Sequence, residues 1–163
     1  MEKAFIYKTN LGRFLIVEEE NAITTVKLHT EKEQERSDDQ LLSNYEVVET
    51  ALIKLTSIQL KEYLDGKRKT FHLTLNPKGT DFQRKVWEAL RAIPYGETRS
   101  YKQIAEAVGN PNASRAVGMA NNKNPILCII PCHRVIGADG KLVGFGCGLD
   151  VKEQLIGLEH DNK

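Results

Sequence analysis

The first third of the chain is built of short runs rich in β-branched and aromatic residues. AFIYKT (4–9), GRFLIVEE (12–19) and AITTVKLHT (22–30) are separated by NLG and EEENA, the pattern of antiparallel hairpins. The pattern then changes period. In NYEVVETALIKLTSIQLKEYLDG (44–66), Val48, Leu52 and Leu55 recur at helical spacing, and Gly66 after Asp65 supplies a stop. FHLTL (71–75) reads as a short strand and NPKG (76–79) as a linker. Between the hairpins and the helix, TEKEQERSDD (30–39) mixes both charge signs without periodicity and reads as a solvated loop.

From Thr80 the texture is helical. Thr80 and Gln83 form a capping box, Phe82, Val86, Ala89, Leu90 and Ile93 then make one apolar face, and Pro94 ends the helix. Ser100 and Gln103 repeat the device for a second helix with Tyr101, Ile104, Ala105 and Val108 on one side. That helix breaks at GNPN (109–112) and restarts at ASRAVGMANN (113–122). Two short helices about a Gly-containing turn are the signature of a helix-turn-helix, although many helical hairpins of this kind bind nothing. The expected fold is of the α/β (α+β) class. It joins an N-terminal antiparallel-sheet subdomain, residues 1–78, to a helical, winged-helix-like C-terminal domain, residues 79–163, that carries the helix-turn-helix.

At 163 residues, 40% hydrophobic and 28% charged, the chain can bury a real core as one domain or two small ones. No stretch approaches the roughly 18 apolar residues of a spanning helix, and MEKAFIYKTN lacks the layout of a signal peptide, so a cytoplasmic protein without a membrane partner is expected. The net charge of +1 excludes little, but its distribution says more. Between Ala107 and Ala138 there is no acidic residue, while Arg115, Lys123 and Arg134 lie inside that stretch. A phosphate-bearing partner would meet a local positive face there.

Three cysteines, Cys128, Cys132 and Cys147, fall within twenty residues. An odd number without paired C-x-x-C spacing suits neither a disulfide framework nor a zinc site, so reduced thiols and no metal are expected. Cys128 and Cys147 read as buried packing thiols. Cys132 differs in context: Pro131 fixes the backbone before it, His133 and Arg134 follow, and a glycine-bearing turn lies beyond. A thiol of pKa about 8.5 is only a few per cent thiolate at neutral pH, so a nucleophile here needs a base or cation, and His133 is the candidate. A third group should orient that histidine. Glu159, in the last helix DVKEQLIGLEH (150–160), could fold back to do so or could equally sit in solvent.

PCHRVIG (131–137), together with GTDFQRKVWEAL, IPYGETRSY, RAVGMANNKNP and GLDVKEQLIGLE, resembles the O6-alkylguanine-DNA alkyltransferases, single-turnover DNA repair proteins. The resemblance runs in order from Gly79 to Glu159, and the first half matches only loosely. It implies Cys132 as alkyl acceptor, His133 activating it through an ordered water, and Glu159 orienting and polarising the imidazole. Asn124 would hold the cysteine loop against the helix-turn-helix. Tyr101 would donate toward N3 of the leaving guanine, which agrees with its place on the apolar helix face if it lines the pocket. Arg115 would fill the stack vacated by the flipped nucleotide, with its helix along the minor groove. Asn110, Ala113, Ser114, Gly118, Lys123 and Arg134 would complete the DNA-binding surface. The pocket would be walled by Tyr101, Val135, Phe145, Gly146 and Cys147.

The implied reaction is an in-line displacement at an alkyl carbon that leaves an S-alkyl thioether and consumes the protein without a cofactor. The expected partner is double-stranded DNA containing O6-alkylguanine, met by a monomer, and O4-alkylthymine is a further candidate substrate. A repair protein must not depend on sequence, which suits phosphate contacts and the degenerate code of the minor groove. Two positions depart from many members, which carry tyrosine at Phe145 and glycine at Cys147. A non-catalytic lesion sensor would lack the acceptor cysteine, a helix-turn-helix transcription regulator would not need PCHR, and a thiol hydrolase would have to release its intermediate to water.

Overall fold

The computed structural model describes residues 1–30, 36–140 and 148–163, and its chain forms two compact units. The first unit comprises Met1–Pro77 with Pro125–Leu127, and the second Lys78–Asn124 with Cys128–Lys163. The short excursion at 125–127 is not visible in the sequence pattern. It arises because Val26 of the sheet exchanges two backbone bonds with that segment, Val26 N donating to Pro125 O and Leu127 N to Val26 O, each at 2.9 Å.

In the first unit, β1 (Lys3–Thr9), β2 (Gly12–Glu19) and β3 (Ala22–His29) form the expected antiparallel hairpins. The second hairpin closes through Glu20 and Asn21, both at positive φ (52° and 63°), as a two-residue turn whose twist matches the strands requires. A two-residue strand, β4 (Glu46–Val47), lies parallel to β1, so the sheet is mixed, in the order β3-β2-β1-β4. Central strand β2 is buried from Phe14 through Glu18, and strand alternation divides its side chains between two faces. Leu15 and Val17 pack with Ala4, Ile6, Leu42 and Tyr45. On the opposite face Glu18 accepts a hydrogen bond from the Thr50 hydroxyl, which also caps the helix α2 (Ala51–Leu64).

Four expectations for this unit need correction. The helix starts at Ala51 and not near 44, because residues 46–47 are taken up by backbone pairing with β1. Its buried face is Ile53, Thr56, Gln59, Leu60 and Tyr63, whereas Leu55 and Val48 are exposed. Thr56 and Gln59 broke the apolar period because their polar groups are satisfied internally: the Thr56 hydroxyl donates to Leu52 O, and Gln59 exchanges two bonds with the His72 backbone. FHLTL is no strand beyond a single bridge of Leu75 to Ile23. Within the expected loop 30–39, Ser37 forms a capping box with Gln40 and starts the one-turn helix α1 (Asp38–Leu41), while residues 31–35 lie outside the described set.

In the second unit both capping boxes are present. Thr80 with Gln83 starts α3 (Asp81–Arg91), and Ser100 with Gln103 starts α4 (Tyr101–Ala107). Helix α5 (Ser114–Asn122) packs on both, burying Val117, Ala120 and Asn121. Trp87, which the apolar face read from sequence omitted, is buried at the α3–α5 contact, where its indole N–H donates to Ala120 O at 2.9 Å. A short parallel pair, β5 (Arg99–Ser100) with β6 (Val135–Ile136), ties the start of α4 to the segment that follows Cys132. Helix α6 (Leu149–Asp161) closes the unit and packs on the 3-10 turn Cys132–Arg134.

Candidate active site

The segment leading to Cys132 is apolar and wholly buried from Ile126 to Val135. Its own side chains cannot hold its polar backbone, so other elements do. Asn124 donates from Nδ2 to Ile130 O at 2.7 Å, and Asn121 from Nδ2 to Cys132 O at 3.3 Å. Cys132 N donates to Ile130 O at 2.8 Å and Arg134 N to Pro131 O at 3.0 Å, forming the tight turn that carries the thiol. Asn124, to which the resemblance gives the holding of the cysteine loop, bonds that loop through the Ile130 backbone. Asn121 was missed, although a polar residue one turn from Val117 on the inner face of an amphipathic helix was the available signal. Cys128, at φ +68°, is a buried residue in a left-handed conformation that costs a non-glycine residue about 1–2 kcal/mol.

Behind Cys132 lies a buried ionic cluster. His133 is fully buried, and its Nε2 lies 2.6 Å from Glu159 Oε2. Arg134 donates from Nε to Glu159 Oε1 at 2.8 Å, from Nη2 to Oε2 at 3.0 Å, and from Nη1 to Ile93 O at 2.6 Å. Gly96 N adds a bond to Oε1 at 3.1 Å from a φ of +81° that favours glycine. Glu159 therefore folds back, as one of its two readings had it, and its carboxylate is met by donors on both oxygens, the condition for tolerating a buried charge. Arg134, expected at the DNA surface, turns inward instead. Its guanidinium is committed to Glu159 and Ile93, and stands 5.7 Å from the centre of the Tyr95 ring, which leaves it no phosphate-binding role.

The electrostatics set the protonation states. Burial lowers the His133 pKa below 6.5, and this prevails over the opposing pull of Glu159, with the charges of Arg134 and Lys152 acting in the same direction as burial. The neutral ring donates Nε2–H to the carboxylate, so Nδ1 carries the lone pair and is the basic atom. Tyr101, half-buried at the first turn of α4, has its pKa raised by burial and then by the charge on Cys132, which keeps its hydroxyl protonated and able to donate. Lys152 was not singled out from sequence. It is fully buried on α6, with Nζ 6.0 Å from the centre of the Tyr101 ring. Burial lowers its pKa while the Cys132 charge opposes that shift, so thiol, phenol and amine share one electrostatic environment. Its signal was a lysine three and seven residues before the buried Leu155 and Glu159, on the apolar side of the helix.

The remaining residues divide by exposure. Val135 is fully buried. On and beside the helix-turn-helix, Arg115, Lys123 and Asn110 are exposed and Ala113 and Ser114 partly so. Gly118 faces Tyr101, since a Cβ there would meet its ring at 3.7 Å. Phe145, Gly146 and Cys147 lie outside the described residues. Among the described residues, no group of three metal-ligating side chains comes together, and no helix is long and apolar enough to cross a membrane.

A buried cysteine backed by an imidazole–carboxylate pair, in the same unit as a helix-turn-helix with an exposed arginine, defines a DNA-handling protein built around one nucleophilic thiol. Comparison with known proteins narrows the class. Residues 81–161 match the model of the 6-O-methylguanine DNA methyltransferase DNA-binding domain, and residues 4–77 that of the same proteins' ribonuclease-like domain. The chain belongs to the 6-O-methylguanine DNA methyltransferase family. It is 47% identical over 154 residues to a methylated-DNA–protein-cysteine methyltransferase of Methanosarcina acetivorans, covering 94% of this chain and 96% of the relative. It is 46% identical over 153 residues to the constitutive protein of the same name in Bacillus subtilis, covering 93% and 92%. The O6-methylguanine methyltransferase structure from Mycobacterium tuberculosis superposes with a TM-score of 0.87 at 37% identity, covering 100% of this chain and 95% of that one. A structure of Mycobacterium tuberculosis OGT in complex with DNA gives 0.84 at 38%, covering 99% and 93%.

Proposed function

We propose that this protein repairs O6-alkylguanine in double-stranded DNA by moving the alkyl group to its own Cys132, once per molecule, acting as a monomer in the cytoplasm. The observation that carries the reading is the His133–Glu159 contact in the turn that bears Cys132, which supports a neutral imidazole with Nδ1 as its basic atom. His133 takes the thiol proton through a water, the sulfur forms a bond to the alkyl carbon, and the carbon–O6 bond breaks with its electron pair passing to the guanine. Tyr101, held protonated, donates toward N3 of the leaving base. A thioether is not hydrolysed under these conditions, so the thiol is not regenerated, and no cofactor takes part.

DNA binding is assigned to α5. Its exposed Arg115 props the stack after the damaged base has been flipped, Lys123 and the Asn110–Ser114 turn meet phosphates, and the small residues Ala113 and Ser114 permit close approach in the minor groove, whereas Gly118 gives room to the Tyr101 ring. The acid-free stretch 107–138 and the family's DNA-bound relative support this assignment. Intact-protein mass spectrometry after incubation with a duplex containing one O6-methylguanine tests the reaction. A single methyl increment that maps to Cys132, with activity ending at one equivalent, is expected. Repair of more than one lesion per molecule, or an increment elsewhere, would overturn the reading.

A further inference from the structure

Helix α5 exposes an apolar side chain that neither the fold nor the chemistry at Cys132 uses. Met119 is 64% exposed, while Val117, Ala120 and Asn121 turn inward and Gly118 faces the Tyr101 ring. At about 100° per residue, the exposed arc contains Asn122 and Arg115 on one side and Lys123 and Ala116 on the other, with Met119 between them. The crest of the helix is therefore a flexible thioether chain flanked by two cations, one turn beyond Arg115. An exposed methionine gains nothing from burial in the free protein, so its position is informative only if something covers it when the helix is engaged.

We infer that Met119 is a second DNA-contacting side chain, an apolar wedge that enters the minor groove next to Arg115 and eases the opening of the base stack. This rests on the assignment of α5 to DNA given above. The occupant is argued from charge and shape. A minor groove has largely apolar deoxyribose walls, base edges along its floor and phosphates along both rims, which suits a central methionine with the stack-propping Arg115 on one side and Lys123 turned to a phosphate on the other. No acidic residue between Ala107 and Ala138 opposes that approach. Methionine is among the side chains that proteins press between base steps to unstack them, and unstacking is the main cost of bringing a damaged base out of a duplex. Arg115 alone would fill the vacancy only after extrusion, whereas a wedge at Met119 acts on the neighbouring step and lowers the barrier to it.

The test compares Met119→Ala and Met119→Gln with the unmodified protein. The quantity measured is the ratio of the transfer rate on duplex O6-methylguanine at saturating protein to the rate with the free base O6-benzylguanine, which has no stack to open. Thermal unfolding of each variant is measured in parallel, and an exposed side chain should leave it unmoved. A fall in the ratio on the order of tenfold, about 1.4 kcal/mol, is expected for both variants, with Gln no better than Ala because polarity replaces the wedge. An unchanged ratio overturns the inference, and so does a loss that is equal on duplex and free base. If the unmodified protein itself fails to transfer an alkyl group from either substrate, the reading of the reaction fails instead, so the two failures are distinguishable.

Discussion

Replacing Arg134 with methionine removes a positive charge from a fully enclosed cluster while nearly preserving side-chain volume. Three bonds vanish, at 2.8 and 3.0 Å to Glu159 and at 2.6 Å to Ile93 O. Glu159 keeps His133 and Gly96 N as donors. Breaking a buried pair by removing one partner costs about 3–5 kcal/mol, which for a chain of this size lowers the melting temperature by about 6–20 °C. The second consequence is chemical. Burial holds the His133 pKa below 6.5, with the Arg134 charge assisting and Glu159 opposing. Without Arg134 the carboxylate is less opposed, the His133 pKa rises, and the ring becomes an imidazolium that cannot accept the thiol proton. In the unmodified protein the unfolded chain takes up a proton on this histidine below pH 6.5 that the folded chain refuses, so stability falls as pH drops through that range. The variant should show a shallower fall. The decisive assay is the pH dependence of the rate with free O6-benzylguanine, which removes DNA binding from the measurement. The acid limb of the profile should move to higher pH in Arg134→Met and return toward its original position in Arg134→Lys. A melting temperature that drops while the acid limb stays fixed would refute the electrostatic reasoning and leave Arg134 as a brace for Glu159 alone.

Three further outcomes are expected. Arg115→Ala should slow repair in duplex DNA by on the order of tenfold or more relative to its rate with O6-benzylguanine, because only the duplex requires a stack to be propped open; equal losses on both substrates would assign Arg115 to the fold. Cys132→Ala should abolish transfer and leave duplex affinity, measured by fluorescence anisotropy, nearly unchanged. Lys152→Met removes a buried amine whose pKa burial depresses, so the variant should melt at or above the parent temperature while transferring more slowly; a rate equal to the parent's would show that the Cys132 site does not draw on that charge.

Much of the architecture was legible because it rests on local rules. The three hairpin strands follow from turn residues and β-branched runs, and the starts of α3 and α4 from capping boxes that bond only within four residues. Cys132 and His133 stood out because four consecutive residues, Pro131 to Arg134, carry their own chemical logic. Where backbone pairing partners are distant, the local pattern misled. Residues 46–47 joined β1, and the buried side of α2 contained Thr56 and Gln59, whose polar groups find partners that no periodicity can reveal.

The sequence by itself determined which residues could do chemistry: a thiol, an imidazole, a carboxylate 26 positions beyond that imidazole, and an arginine on a short helix. Only the tertiary structure decided which way each one faces. Arg134 shows the difference most plainly. In the sequence it is one of three cations in an acid-free stretch, which points it toward DNA. Folding brings Glu159, Ile93 O and the Tyr95 ring around it, and a buried carboxylate cannot remain ionised without such donors. Lys152 and Asn121 became visible the same way, because burial and long-range hydrogen bonding depend on elements that are close in space and far apart along the chain.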